Sequence, residues 1–349
     1  MITVTMAGYQ AVSILHGGPN TQIRNTASHL PEFGVTVKFF DPWAPFKSSD
    51  CDLFHLFAAN IGTYHLAREI HTLDVPLVVS PIVYSRHSPA FVRTALRAGR
   101  VLQKAGLGIW TDHIFTADIC NWASRLLPNS AAEGELVRLG FGSPAKKITM
   151  VPNGVDERFG SADPGLFKKK FGLENFILNV GHVGHGRKNV LSLIQALAGI
   201  DHPTVIIGRI IKGPYGDACV REAAKHKHIL LLNGLDHESP LLASAYAACD
   251  VFVLPSLFET PGIAALEAGL AGAKIVITPY GGTREYFEGM ATYVEPSSVE
   301  SIRNGITKAL ADKKSPDLRN NIQKNYLWPN VAKLTAAAYN DLLVQRAKV

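Results

Sequence analysis

Apolar runs of four to eight residues alternate along this chain with longer segments whose apolar positions recur at helical spacing. Short runs of Val, Ile, Leu and Phe with little polar alternation predict strands buried on both faces. Helical segments between them predict parallel sheets covered on each side. In the first half the predicted strands are Ile2–Met6, Val35–Phe40, Leu53–Phe57, Leu77–Ser80, Arg125–Pro128 and Ile148–Val151. In the second half they are Phe176–Val180, Thr204–Ile207, Ile229–Leu232, Val251–Leu254, Lys274–Ile277 and Thr292–Val294. Predicted helices include Thr21–Leu30, Thr63–Thr72, Ala131–Leu139, Asn189–Leu197, Leu241–Ala248 and Ile263–Ala271. The pattern occurs twice. It breaks near Asn153–Gly172, where Asn153-Gly154 and Asp163-Pro164-Gly165 are turn signals.

With 349 residues, the chain exceeds what one core usually serves, since domains cluster at roughly 100–150 residues. The expected class is α/β, with two doubly wound parallel-sheet domains, residues 1–155 and 160–327, facing across a cleft. In such sheets ligands bind beyond the carboxyl ends of the strands.

Composition changes this picture little. Hydrophobic residues make up 47 % and charged residues 18 %, which is globular and not disordered. No apolar run approaches the ~20 residues that cross a bilayer. Met1–Gly8 reads as a first strand and not as a signal peptide, so a cytoplasmic location is expected. Cys51, Cys120, Cys219 and Cys249 are scattered, without metal-ligand spacing, and read as reduced thiols. No metal and no resident cofactor are expected.

Net charge is +6. Nucleic acid is not the expected partner, because the basic residues are not interleaved with stacking aromatics. One basic segment stands out, Arg86–Lys104. Arg93, Arg97, Arg100 and Lys104 share a helix face there, with Phe91, Ala95, Leu96 and Leu102 elsewhere on the helix. Such a helix suits an anionic membrane surface or an acceptor's pyrophosphate, and equally a solvated face.

The richest segment in chemistry runs from Pro255 to Gly269. It follows an apolar strand, forms a turn-rich loop and enters a helix of small and apolar residues. A loop entering a helix offers unpaired backbone amides and the positive end of the helix dipole, which suits phosphate. Glu259 lies in the loop and Glu267 in the helix. On the residues alone these are either ligands of a sugar and a ribose, or a cap and a solvated helix carboxylate. His16-Gly17-Gly18-Pro19-Asn20 precedes the first helix. Adjacent glycines let a backbone approach a phosphate, or simply make a turn.

Four further segments stand in order: Val151-Pro152-Asn153-Gly154-Val155-Asp156 with Phe159; Leu178-Asn179-Val180-Gly181 with Lys188-Asn189; Thr278-Pro279-Tyr280-Gly281-Gly282-Thr283-Arg284-Glu285; and Trp328 with the final helix. With the E-x7-E spacing of Glu259 and Glu267, they resemble the retaining glycosyltransferases of group 1, or family four, which have the GT-B architecture of two Rossmann-like domains. The resemblance covers most of residues 125–345 and implies a sugar donor activated as a nucleoside diphosphate. It places Glu259 at the donor sugar or reacting centre, Glu267 on the ribose hydroxyls, and the Gly262 and Ile263 amides on the diphosphate. Gly17 and Gly18 would face the donor phosphate. The base would be read by backbone around Gly234 and Leu235, and residues 328–349 would return to the first domain.

Two departures from the family pattern are visible. Its basic pair is Arg and Lys; Lys188 matches the Lys, but His182 stands at the Arg position, with Arg187 able to supply the charge. The family's first-domain His, just after the fourth strand, is absent from Val79-Ser80-Pro81-Ile82-Val83-Tyr84. His87 is the candidate catalytic substitute, with Tyr84 as the other. The expected activity is transfer of a sugar to a sugar or lipid-linked acceptor hydroxyl in bacterial cell-surface glycan or glycolipid synthesis. The alternatives are a sugar-phosphate synthase or nucleotide-sugar epimerase on the same fold, and lastly a non-enzymatic binding protein.

Overall fold

The computed structural model describes residues 2–14, 17–108 and 110–348, with only the backbone of Ser13. His16 therefore lies outside the described residues. The chain divides into two compact units, Met1–Gly154 with Trp328–Val349, and Val155–Leu327.

The first unit holds a five-stranded parallel sheet in the order β2-β1-β3-β4-β5. Its strands are β1 (Ile2–Ala7), β2 (Val35–Phe39), β3 (Leu53–Phe57), β4 (Leu77–Ser80) and β5 (Arg125–Leu126). The sheet is buried on both faces. Val4, Met6, Leu53, Phe57 and Val78 pack into one core, while Phe54, Leu56, Leu77 and Val79 pack into the other. This is why the runs carry so little polar alternation. Ile148–Val151 is not a strand. It lies alongside β5, joined through a single bridge between Leu126 and Ile148 and the bonds from Thr149 N to Leu126 O and Val151 N to Pro128 O. The helix predicted at Ala131–Leu139 is helical only over Ala131–Glu135 and widens into a π turn at Leu136–Gly140.

The second unit holds a six-stranded parallel sheet in the order β11-β10-β9-β6-β7-β8. The strands are β6 (Phe176–Val180), β7 (Thr204–Ile207), β8 (Ile229–Leu232), β9 (Cys249–Leu254), β10 (Lys274–Ile277) and β11 (Thr292–Tyr293). Phe176, Leu178, Phe252, Leu254, Ile275 and Ile277 fill one face, and Ile177, Ile206, Val251, Val253 and Val276 the other. The chain builds outward from β6 to β8, then returns beside β6 as β9. The loops after β6 and β9 therefore start next to each other at the carboxyl edge, where an open α/β sheet forms its crevice. All four cysteines are buried and unpaired with one another.

The terminal helix Trp328–Arg346 belongs to the first unit, where Trp328, Val331, Ala332, Tyr339 and Leu342 enter the core beside β1 and β3. A polar clasp fixes it. His55, on β3, bonds through Nδ1 to Tyr339 Oη at 2.6 Å and through Nε2 to Ser80 Oγ at 3.0 Å. Burial pushes the His55 imidazole down to about 3, so the ring is neutral and one nitrogen donates while the other accepts. Tyr339→Phe leaves a buried ring nitrogen without its partner and should cost about 1–3 kcal/mol of stability, read by denaturant unfolding. The sign of the pH effect also follows. The unfolded imidazole takes a proton below about 6.5 that the folded one refuses. Stability should therefore fall as the pH drops from about 6.5 toward about 3, and a His55→Asn variant should show a shallower fall in acid thermal melts.

Candidate active site

Each unit carries candidate residues, and the second holds the denser set. After β6 the chain runs through Gly181 and His182 into a 3-10 turn at Gly186–Lys188, then into the helix Val190–Leu197. After β9 it runs through residues 255–262 into the helix Ile263–Leu270. The two loops are joined by backbone and side chain. Leu257 N donates to Arg187 O at 2.8 Å, and Arg187 Nη1 donates to Phe258 O at 3.0 Å. Asn189, left-handed at φ 57°, donates its amide to Pro255 O at 3.0 Å and Pro296 O at 2.7 Å.

Between these loops sits the Glu259 carboxylate, 6 % exposed. Lys188 Nζ lies 2.6 Å and Arg187 Nη1 3.2 Å from its Oε1. Burial alone would push this carboxyl up. The Lys188 and Arg187 charges and the Lys188 hydrogen bond more than offset it, and the group sits below the ordinary carboxylate range. The cations are crowded too. The neighbouring His185 imidazole is pushed down by burial first, then by Arg187, His182 and Lys188. His182 is half-buried in the same loop. His185 is thus a fourth basic group of this loop, one that motif spacing did not single out.

The backbone of Glu259 is held as firmly as its side chain. Glu259 N donates to Tyr280 O at 3.0 Å, and Gly282 N to Glu259 O at 2.9 Å. A Cβ on Gly281, whose φ is +96°, would stand 1.9 Å from Glu259 O. Gly281→Ala should therefore displace the Glu259 loop, lowering the melting temperature and any ligand affinity of the unit together; calorimetry and titration of the same variant would check both. The helix that follows starts on Gly262, left-handed at φ 83°, with no capping side chain among the described residues and no acidic residue in its first turn. The amides at Gly262 and Ile263 thus head a helix whose dipole favours an anion.

Glu267, on that helix, is 3 % exposed. Its Oε1 meets His237 Nε2 at 2.7 Å, so it is not the solvated carboxylate that a helix pattern would also allow. His237 lies in the loop after β8 that contains Gly234 (φ 76°) and Leu235. Its Nδ1 faces Glu238 at 3.1 Å and Arg158 at 3.2 Å, and Arg158 also donates to its carbonyl at 2.8 Å. The Glu267 hydrogen bond is the main cause that raises the His237 imidazole to about 9, against burial and with help from the Glu267 and Glu238 carboxylates. The phenol of fully buried Tyr246 is pushed well up, by burial first and then by the Glu267 charge. Because the folded pKa is raised, the pair's contribution is complete below about 6.5. It should be lost as the pH rises through about 9. His237→Ala should remove this alkaline decline of the melting temperature.

In the first unit, Gly17 precedes and Gly18 begins the helix Gly18–His29, and both are exposed. Gly17 is extended at φ −171°, a conformation open to any residue. His87 is exposed in the loop before the helix Pro89–Lys104, its ring 4.4 Å from that of Phe91. Tyr84 is half-buried in the segment after β4. That segment bends through Ile82, held left-handed at φ 54°, which is costly for a β-branched residue. The buried Glu133 carboxylate holds it, accepting from Val83 N at 2.9 Å and Asn129 N at 2.7 Å.

The triplet Asp50-Cys51-Asp52 has the Asp-x-Asp spacing associated with metal-bound donor phosphates, which the metal-free expectation passed over. Asp52 accepts from Thr3 N at 2.7 Å and Asp50 from Lys47 N at 2.8 Å. Both stand at the amino end of β3, away from the carboxyl edge where ligands bind.

Residues 166–326 match the family described as Glycosyl transferases group 1. That stretch takes up nearly the whole of the second unit, Val155–Leu327. An uncharacterized glycosyltransferase of Methanocaldococcus jannaschii is 30 % identical over 221 residues, 57 % of this chain and 55 % of that protein. A D-inositol 3-phosphate glycosyltransferase of Kribbella flavida is 26 % identical over 302 residues, 79 % of this chain and 69 % of that protein. The chain spans about half the length of the first curated relatives it matches. Among solved structures, a sucrose-phosphate synthase of Thermosynechococcus elongatus aligns at a TM-score of 0.75 and 17 % identity, covering 99 % of this chain and 100 % of that one. Anabaena HepE, in complex with UDP and glucose, aligns at 0.64 and 17 %, covering 100 % and 98 %. These likenesses establish the GT-B fold for the chain.

Proposed function

We propose that this chain is a retaining glycosyltransferase that moves a sugar from a nucleoside diphosphate to an acceptor hydroxyl. The observation that carries the reading is the cluster at the switch between β6 and β9. Lys188 and Arg187 meet around the buried Glu259 carboxylate, in the loop that leads to the uncapped helix at Gly262. Two cations and a helix start are what a departing diphosphate requires, and they act by charge already in place. Arriving phosphate oxygens would share Lys188 and Arg187, with His182 and His185 as further donors. Glu259 would then carry less compensated negative charge, which favours positive charge developing at the anomeric carbon. Glu267, oriented by His237, would accept from the ribose hydroxyls, and backbone at Gly234 and Leu235 would meet the base. In this reading the diphosphate is neutralised by side chains and amides and needs no metal. UDP or GDP is the expected product.

Lys188→Ala should weaken nucleoside diphosphate binding by about 10- to 100-fold, the range of a charged hydrogen bond. Glu267→Ala should weaken nucleotides carrying ribose more than free diphosphate. Unchanged titrations for both would remove the assignment. A thermal-shift panel of nucleoside diphosphates and nucleotide-sugars identifies the base, since a ligand of the folded state at 100 times its Kd adds about 2.7 kcal/mol.

The acceptor divides two readings. A lipid-linked or glycan hydroxyl fits a role in cell-surface glycan or glycolipid synthesis. A phosphorylated sugar or polyol is favoured by the names of the relatives, which include sucrose-phosphate synthase and D-inositol 3-phosphate glycosyltransferases. Product formation with sugar phosphates against lipid-linked acceptors separates them.

A further inference from the structure

The helix Pro89–Lys104 of the first unit has three faces. Val92 and Gly99 are buried, and Leu96 and Gln103 are half-buried beside them. At 3.6 residues per turn, Arg93, Arg97, Arg100 and Lys104 form the next arc. Phe91, Ala95, Ala98, Val101 and Leu102 fill a third arc of about 120°, with Thr94 as its polar member. All five are exposed: Phe91 at 54 %, Val101 at 65 % and Leu102 at 38 %. Beyond the helix, Leu107 (60 %) and Trp110 (56 %) are exposed as well. Trp110 is propped by a stacked contact with Phe115, 5.5 Å between ring centres. Leu96 turns inward, while Phe91 and Leu102 are left uncovered.

Charge says what would cover them. Five basic residues and no acidic one lie between Arg86 and Lys104. Arg100 bonds to Asp118, and Arg93 donates to Leu139 O at 3.3 Å, which ties these two side chains to the unit. Arg86, Arg97 and Lys104 are exposed. A straight apolar arc about 17 Å long from Phe91 to Leu102, edged by a row of cations, complements a surface whose negative charges lie in a plane directly above an apolar interior. That is an anionic bilayer. A soluble acidic protein would satisfy the cations but leave Phe91, Val101 and Leu102 in water.

We propose that the helix Pro89–Lys104 docks this chain on anionic lipid, with Phe91, Val101 and Leu102 inserted below the headgroups and Arg97 and Lys104 at the phosphate plane. A Trp such as Trp110 suits the same depth, with an apolar body and a polar edge. The geometry is that of a helix lying in the interface and not across it, and no helix among the described residues is long and apolar enough to cross a membrane.

Co-sedimentation with vesicles tests this without any sugar donor, so its outcome is separate from that of the transfer reading. The whole chain should pellet with vesicles of phosphatidylglycerol and phosphatidylcholine, and far less with phosphatidylcholine alone. Arg97→Gln with Lys104→Gln should weaken partitioning about 25-fold, at roughly five-fold per charge. Phe91→Ser with Leu102→Ser changes exposed residues and should keep the melting temperature while lowering partitioning at least ten-fold, even at low salt. Failure of the unaltered protein to pellet with the anionic vesicles would overturn the proposal. So would pelleting that neither double variant weakens. A dimer in solution that Phe91→Ser with Leu102→Ser converts to monomer would assign the face to a second copy, and would equally overturn it.

Discussion

A carboxylate taken out of water must be matched by positive charge, and in the second unit that requirement falls on Glu259. Its oxygens sit inside the protein, and the match comes from Lys188 and Arg187, about seventy residues earlier in the chain. The strand order makes this possible. Because β9 returns beside β6, the loop bearing the cations and the loop bearing the carboxylate rise from neighbouring strands. Asn189 and Arg187 then knit the loops through backbone carbonyls, and Gly281 lets the next loop close over Glu259. The cluster is a structural necessity of a buried charge, and it also leaves a concentration of cations at a helix start.

The two glutamates of the segment differ in how they are compensated. Glu259 is met by permanent cations, Glu267 by an imidazole whose charge depends on the carboxylate it serves. The first arrangement holds at any pH near neutrality. The second makes the orientation of Glu267 depend on the loop after β8, and through Arg158 on the segment that opens the unit. The carboxylate read as a ribose ligand is thereby mechanically linked to the backbone read as the base site.

The sheets were legible in the sequence where burial is double-sided. Leu53–Phe57, Leu77–Ser80, Phe176–Val180, Thr204–Ile207, Ile229–Leu232 and Lys274–Ile277 begin and end where their apolar runs do. Ile148–Val151 reads the same way and is not a strand, because an apolar run reports burial and not pairing. The basic helix shows the matching limit. Periodicity divides a helix into faces but does not say which face the rest of the protein covers: Val92, Leu96 and Gly99 turn inward, while Phe91 and Leu102 stay exposed. Lys188, Glu259 and Glu267 were visible through motif spacing. His237 and His185 were not, since His237 is defined by a contact to Glu267 thirty residues away and His185 by the crowd of charge around it. In the first unit, the strained turn at Ile82 and its clamp by Glu133 have no local signature at all.

The placement of the terminal helix has a consequence for synthesis. The first unit lacks a wall of its core until residues 328–346 exist, and His55 waits for Tyr339 across 284 positions. The second unit is one uninterrupted stretch, Val155–Leu327. On the ribosome the later-encoded unit is therefore the first that can complete its fold, while the earlier one stays open until Trp328–Arg346 has been made. Chains cut short before Trp328 would expose the apolar floor of the first sheet, which makes the helix Trp328–Arg346 a checkpoint for the first unit.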